Sequence, residues 1–250
     1  MPETKRYGWI PDLPDHRDHI LSLPIYEALP PSADLRAQCP AVYRQGNLGS
    51  CTGNAIAADL EFDRKKQGLP DFIPSRLFIY YNERVMEHTI FSDAGAMLRD
   101  GIKSVAKIGA CSETDWPYDI SQFAVKPSAQ CYLSAKLDRA ISYQRVQRNL
   151  DQMRACLAGG FVFVLGFTVY QSFESSQVAS TGDMPMPGPD ESVLGGHAVV
   201  CVGYNDAKQA FTVRNSWGGS WGDKGYFYMP YAYLMNRQLS SDFWVIKSVG

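Results

Sequence analysis

No run of eighteen apolar residues occurs in this 250-residue chain, so no segment reads as a membrane-spanning helix. The opening residues, MPETKRYGWIPDLPDHRD, lack the apolar stretch of a secretory signal, which makes the cytoplasm the default compartment. Neither sign of charge dominates. Lys and Arg number 24 against 26 Asp and Glu, a net of −2, and this gives no electrostatic reason to expect nucleic acid or a membrane as partner. The six cysteines, Cys39, Cys51, Cys111, Cys131, Cys156 and Cys201, contain no C-x-x-C pair. Neither a zinc site nor a disulfide scaffold is expected, and no cofactor is implied. Scattered Gly (21) and Pro (15) exclude a coiled coil. What remains is ordinary globular composition, 45% hydrophobic and 20% charged. A chain this long buries roughly 70–75% of its unfolded surface and needs no staple.

Six prolines fall within residues 1–31, at 2, 11, 14, 24, 30 and 31. That density forbids a long helix and favours extended backbone. The same stretch carries Tyr7, Trp9, Ile10, Leu13, Ile20, Leu21, Leu23, Ile25 and Tyr26, too many apolar side chains for a solvated tail. Helices are predicted over 51–66, after Ser50 as N-cap, over 76–86 after Ser75, over about 96–108 with Gly109 as stop, and over 149–157. From Gly160 on, short apolar runs at 161–167, 197–204, 210–215, 226–229 and 243–249 read as strands, and 174–193 as a loop. Helices first and strands later predict an α+β chain, in one domain or two lobes with a cleft between.

Three segments carry chemistry. Cys51 opens a predicted helix, where backbone N–H groups and the helix dipole favour a thiolate, the nucleophilic form of cysteine. Alone it would read as a small buried hydrophobe. His197 follows Gly195 and Gly196 at the start of an apolar strand. VRNSWGGSWGDKGY (213–226) sets Asn215 before a glycine-rich loop with Trp217 and Trp221. An Asn there can accept a hydrogen bond from an imidazole and hold its tautomer.

Together QGNLGSC (45–51), GGHAVVCVGY (195–204) and NSWGGSWGDKGY (215–226) resemble the papain-like cysteine peptidases. The order Cys, His, Asn fits, and His197 lies 146 residues after Cys51. The resemblance runs from about Leu29 to the C-terminus and is strongest with short bacterial members. It implies an α+β, papain-like two-lobed fold, with a helical lobe (mainly 50–115) and an antiparallel β-barrel-like lobe (mainly 160–249). Residues 1–28 would form a prosegment-like extension before the domain at 29–250. It implies a cysteine-type endopeptidase acting on peptide or protein substrates through an acyl-thioester. Cys51 would be the nucleophile, His197 its acid–base partner, Asn215 the residue that orients His197, and Gln45 an oxyanion donor. Trp217 would cover the His–Asn bond, and Trp221 would pack on the leaving-group side. Substrate would pair with Gly95 and with the Gly195–Gly196 edge, over a pocket walled by Leu165, Leu194 and Gly196.

The chain departs from the family pattern at the nucleophile. The upstream cysteine is missing, so the disulfide of plant and animal members cannot form there, and Thr52 replaces an aromatic. Two rivals share the fold: a catalytically silent peptide-binding module, and a transpeptidase. The N-terminal segment is expected to lie over the cleft as an intramolecular inhibitor; the competing expectation is a strap on the back of one lobe.

Overall fold

The computed structural model describes residues 6–24 and 28–250; the calls on Ile25, Tyr26 and residues 1–5 lie outside them. Helix α1 (Cys51–Lys66) runs through the middle of the molecule. It is buried from Cys51 to Arg64 on every side, because helices cover one face and the sheet the other. That explains why it shows no polar stripe. Its polar groups Asp59 and Asp63 are buried with the rest. Burial pushes both carboxyls up, Asp59 also by repulsion from Asp63, and Asp63 to about 7.

Helices α2 (Arg76–Met86) and α3 (Leu98–Ile108) pack beside α1. The hydroxyl of Ser75 accepts from Phe78 N at 3.1 Å, the N-cap bond that sets where α2 begins. Gly109, at φ +88, ends α3. The predicted third helix begins two residues late, because Ala96–Met97 are instead a short strand, β3, which pairs in parallel with β1 (Trp9–Ile10).

The second half of the chain, joined by β2 from the first, builds a seven-stranded antiparallel sheet. Its strands are β2 (Ser32–Asp34), β4 (Ala140–Arg145), β5 (Phe163–Tyr170), β6 (Val193–Asn205), β7 (Ala210–Arg214), β8 (Tyr226–Pro230) and β9 (Ser240–Val249). They are ordered β4-β9-β5-β6-β7-β8, with β2 on β6. Short helices α4 (Ala129–Ala135), α5 (Leu150–Ala158), α6 (Ser176–Thr181) and α7 (Tyr231–Met235) fill the connections. One core cluster joins α1 and α3 to the sheet. The architecture is the α+β, papain-like arrangement expected. All six cysteines are free thiols.

Candidate active site

Cys51 is the first residue of α1, and its backbone entry is rigid. Asp93 accepts from Gly49 N at 3.0 Å and from the Tyr80 hydroxyl at 2.7 Å, tying the loop before Cys51 to α2. Ser50 holds the N-cap position but makes no capping bond. Its hydroxyl lies 2.5 Å from that of Tyr118 and accepts from Asn54 Nδ2 at 3.1 Å. Thr52, the departure from the family pattern, donates to Glu83 Oε2 at 2.7 Å. Glu83 is fully buried, and burial raises it to about 8 against the opposing Thr52 bond.

His197 comes from β6, and Asn215 follows β7 directly. Adjacent strands therefore set the distance between them, and His197 Nε2 lies 2.8 Å from Asn215 Oδ1. That oxygen also accepts from Ser216 N at 2.8 Å, so it is an acceptor and Nε2 carries the proton. Nδ1 is thereby left as the basic nitrogen. The Trp217 indole stacks on the imidazole, centroids 5.0 Å apart, and Trp221 meets Trp217 edge-on at 4.9 Å. Gln45 is held on both sides: its Oε1 accepts from Ser216 Oγ at 2.6 Å, and its Nε2 donates to Leu48 O at 3.0 Å.

Residues 6–10 cross this site. Gly8 O accepts from Ala96 N at 2.7 Å, and Gln45 Nε2 also donates to Arg6 O at 3.2 Å. The Tyr7 ring stands edge-on to His197 at 6.0 Å and its hydroxyl bonds Glu174. Trp9 drops into a pocket beside Gly166 and Gly196, and its Nε1 donates to Asp242 Oδ2 at 3.1 Å. Absence of side chains makes this path possible. A Cβ at Gly95 would strike Gly8, one at Gly195 Tyr7, and one at Gly196 or Gly166 Trp9. Cys51 is fully buried, and burial pushes its thiol up to about 12, against the opposing effect of the Ala198, Gly8 and Thr52 backbone. Burial beneath this segment therefore favours the neutral thiol of Cys51.

The structure gathers Gln45, Gly95, Gly195, Gly196, His197 and Trp217 around residues 6–10, with Asn215 on His197, Trp221 on Trp217 and Cys51 two residues after the Gly49 that Gly8 abuts. It does not bring Leu165 to the pocket. Successive strand residues face opposite ways, and Gly166 is the one beneath Trp9. Leu165 is buried in the core opposite Val199. Leu194 stays exposed at the start of β6. Sequence reasoning missed Ser216, Gly166 and Asp242. Ser216 had a local signal, since it adjoins Asn215. Asp242 had none, because it reaches the pocket only through the β9–β5 pairing.

Residues 29–241 match the papain family cysteine protease profile. An uncharacterized peptidase C1-like protein of Acanthamoeba polyphaga mimivirus is 40% identical over 273 residues, covering 98% of this chain and 88% of that protein. Cysteine proteinase 1 of Entamoeba histolytica is 28% identical over 74% of this chain, which spans 58% of its length. Among solved structures, xylellain, a cysteine protease from Xylella fastidiosa, superposes with a TM-score of 0.92 at 45% identity, covering 99% of this chain and 98% of its own. A fold built around one cleft, a Cys–His–Asn order along the chain and these matches lead to one assignment: the chain belongs to the papain family of cysteine proteases, hydrolases of peptide bonds.

Proposed function

We propose that this protein is a cysteine endopeptidase whose reaction runs on Cys51, His197, Asn215 and Gln45, and that its N-terminal segment is a displaceable cover. The observation that carries the reading is the path of Tyr7-Gly8-Trp9. The cleft holds extended polypeptide, hydrogen-bonded through Gly8 to Ala96, with Gly8 against Gly49, two residues before Cys51.

When the segment lifts, water re-enters and the burial that raises the Cys51 thiol is removed. His197 Nδ1 then takes the thiol proton. The thiolate attacks the scissile carbonyl carbon, and the oxygen gains negative charge facing Gln45 Nε2 and the Cys51 backbone N–H. His197 returns the proton to the departing amine, leaving an acyl-thioester. Water, deprotonated by His197, hydrolyses that ester and restores the thiol. Asn215 keeps Nε2 protonated so that Nδ1 stays available at each step. Gly8 packs against Gly49, two residues before Cys51, so the docked segment closes the approach to the nucleophile.

Incubation with an epoxide thiol-protease inactivator, followed by mass mapping, tests the nucleophile. Cys51 is expected to be the alkylated residue, and Cys51→Ala to abolish hydrolysis of a fluorogenic peptide. Wild-type turnover by Cys51→Ala refutes the reading.

A further inference from the structure

Beyond the cleft the segment is held by a second site, built from the body of the protein. Asp12 Oδ1 accepts from Arg99 N at 3.0 Å, at the first turn of α3, and Asp12 Oδ2 accepts from Trp244 Nε1 at 2.9 Å. Six residues on, Asp18 meets two arginines. Arg99 donates from Nε to Asp18 Oδ1 at 3.0 Å and from Nη2 to Oδ2 at 2.6 Å, a two-point fork. Arg145 Nη1 adds a bond to the same Oδ2 at 3.1 Å.

The two arginines differ in one respect. Arg145 is also anchored within the body, because Nη2 donates to Asp242 Oδ1 at 2.9 Å. Arg99 is not. Its guanidinium bonds are to Asp18 and to Leu13 O, both in the N-terminal segment. Yet only 7% of its side chain is exposed, and the guanidinium sits 5.7 Å from the Trp244 ring. With the segment docked the guanidinium is nearly buried, and among the described residues its hydrogen-bond acceptors all belong to the segment. A cation fixed in that way fits a planar carboxylate.

We propose that Arg99 and Arg145 form a carboxylate-binding exosite beside the cleft, and that an acidic side chain of a polypeptide substrate takes the seat of Asp18 once the cover is displaced. This rests on the reading of the cleft as a peptidase site. Trp9 in its pocket and Asp18 on the fork mark the two ends of the footprint. Eight residues separate them along the chain, so preferred substrates pair a large side chain at the cleft with an acid at comparable reach. The exosite selects by charge and the pocket by size, and the two are physically linked through Asp242, which touches both Trp9 and Arg145.

The test uses the full-length chain with its own segment weakened by Trp9→Ala and Asp18→Asn. Two labelled peptides serve as probes: residues 6–20 of this chain, and the same peptide with Asp18→Asn. Fluorescence anisotropy is expected to show at least tenfold tighter binding of the acidic peptide, as for a charge-assisted fork. Adding Arg99→Gln or Arg145→Gln should shrink that difference. Equal affinity for the two peptides, or no binding of the acidic one at millimolar concentration, overturns the exosite. A second measurement compares kcat/KM for a fluorogenic core carrying an Asp-bearing or an Asn-bearing tail, on either end. Equal turnover of both also counts against it. Anisotropy does not depend on catalysis, so loss of all turnover with the charge preference intact would refute the peptidase reading and leave the exosite standing.

Discussion

Gln45 is fully buried with its amide fixed by three bonds, and fixation is what an oxyanion donor needs, since it must not reorient during the reaction. Gln45→Ala is therefore expected to lower kcat by about 10²–10³ without unfolding the protein, as read by steady-state kinetics beside a melting curve. Ser216→Ala tests the support behind it. Without that hydroxyl, Gln45 Oε1 loses its 2.6 Å donor, and kcat should fall by roughly tenfold with KM little changed, the pattern of a contact used only in the transition state. Cys51→Ala and His197→Ala should each abolish turnover, and combining either with Asn215→Ala should add little, because residues acting as a unit are not additive. The Cys, His, Asn and Gln positions were legible because each sits in a local sequence context. Ser216 as a support was not, because its partner lies 171 residues away.

At the scale of elements, α1 carries a burden that nothing local announces. Asp59 and Asp63, one turn apart, are enclosed between helices and sheet. Both folded-state values lie above those of the unfolded chain. The charged forms are thus disfavoured by folding, so stability is fully present in acid and is lost as pH rises through about 7. Asp63→Asn removes the charge. It is expected to raise the melting temperature by several degrees at pH 8, with the gain vanishing near pH 4. A gain that is equal at both pH values would contradict this. Helices α1 and α2 were readable to the residue, since Ser75 and the run after Cys51 are local signals. Strand β4 and helix α6 were not. β4 is a partly exposed edge strand with weak alternation, and α6 is six residues inside a stretch rich in turn formers.

For the whole molecule, the proposed cover is the unit that matters, and its docking should depend on pH through Asp12. Burial and the negative charge of Asp242 raise the Asp12 carboxyl to about 6, against the opposing Arg99 N–H, the Trp244 N–H and the Arg99 charge. Arg145 on β4 and Glu87, just past the end of α2, also face it. A raised value in the docked state means that docking is strongest when Asp12 is protonated. Docking is then fully favoured below about pH 4 and weakens as pH rises through 6, by up to about a hundredfold. Alkylation of Cys51 in the full-length protein should accelerate across this window. Asp12→Asn, which resembles the protonated acid, should flatten the step and keep the site covered at pH 7. An unchanged profile in Asp12→Asn would assign the dependence to another group. Trp9→Ala should do the opposite. Emptying its pocket costs roughly 3–5 kcal/mol of docking, so kcat/KM for small peptides rises. If Trp9→Ala is as slow as wild type, the segment is a strap and not a gate.

The sequence by itself determined the fold family, the helix that presents Cys51 and the order of the site residues, because capping, glycine-rich turns and apolar runs are properties of neighbours along the chain. Proline density and apolar content are local as well, and they predict extended backbone in need of burial over residues 1–31. Where that segment lies was decided only by tertiary structure. Gly95, Gly166, Gly195 and Gly196 come from three separate parts of the chain, and the groove they open exists only when α3, β5 and β6 meet. The same holds for the charge cluster. Asp12, Asp18, Arg99, Arg145 and Asp242 are ordinary surface residues in the sequence, and folding alone places them within hydrogen-bond distance of one another. Hydrogen bonds and steric exclusion act through space over a few ångströms, so partners more than eighty residues apart leave no mark on the pattern between them.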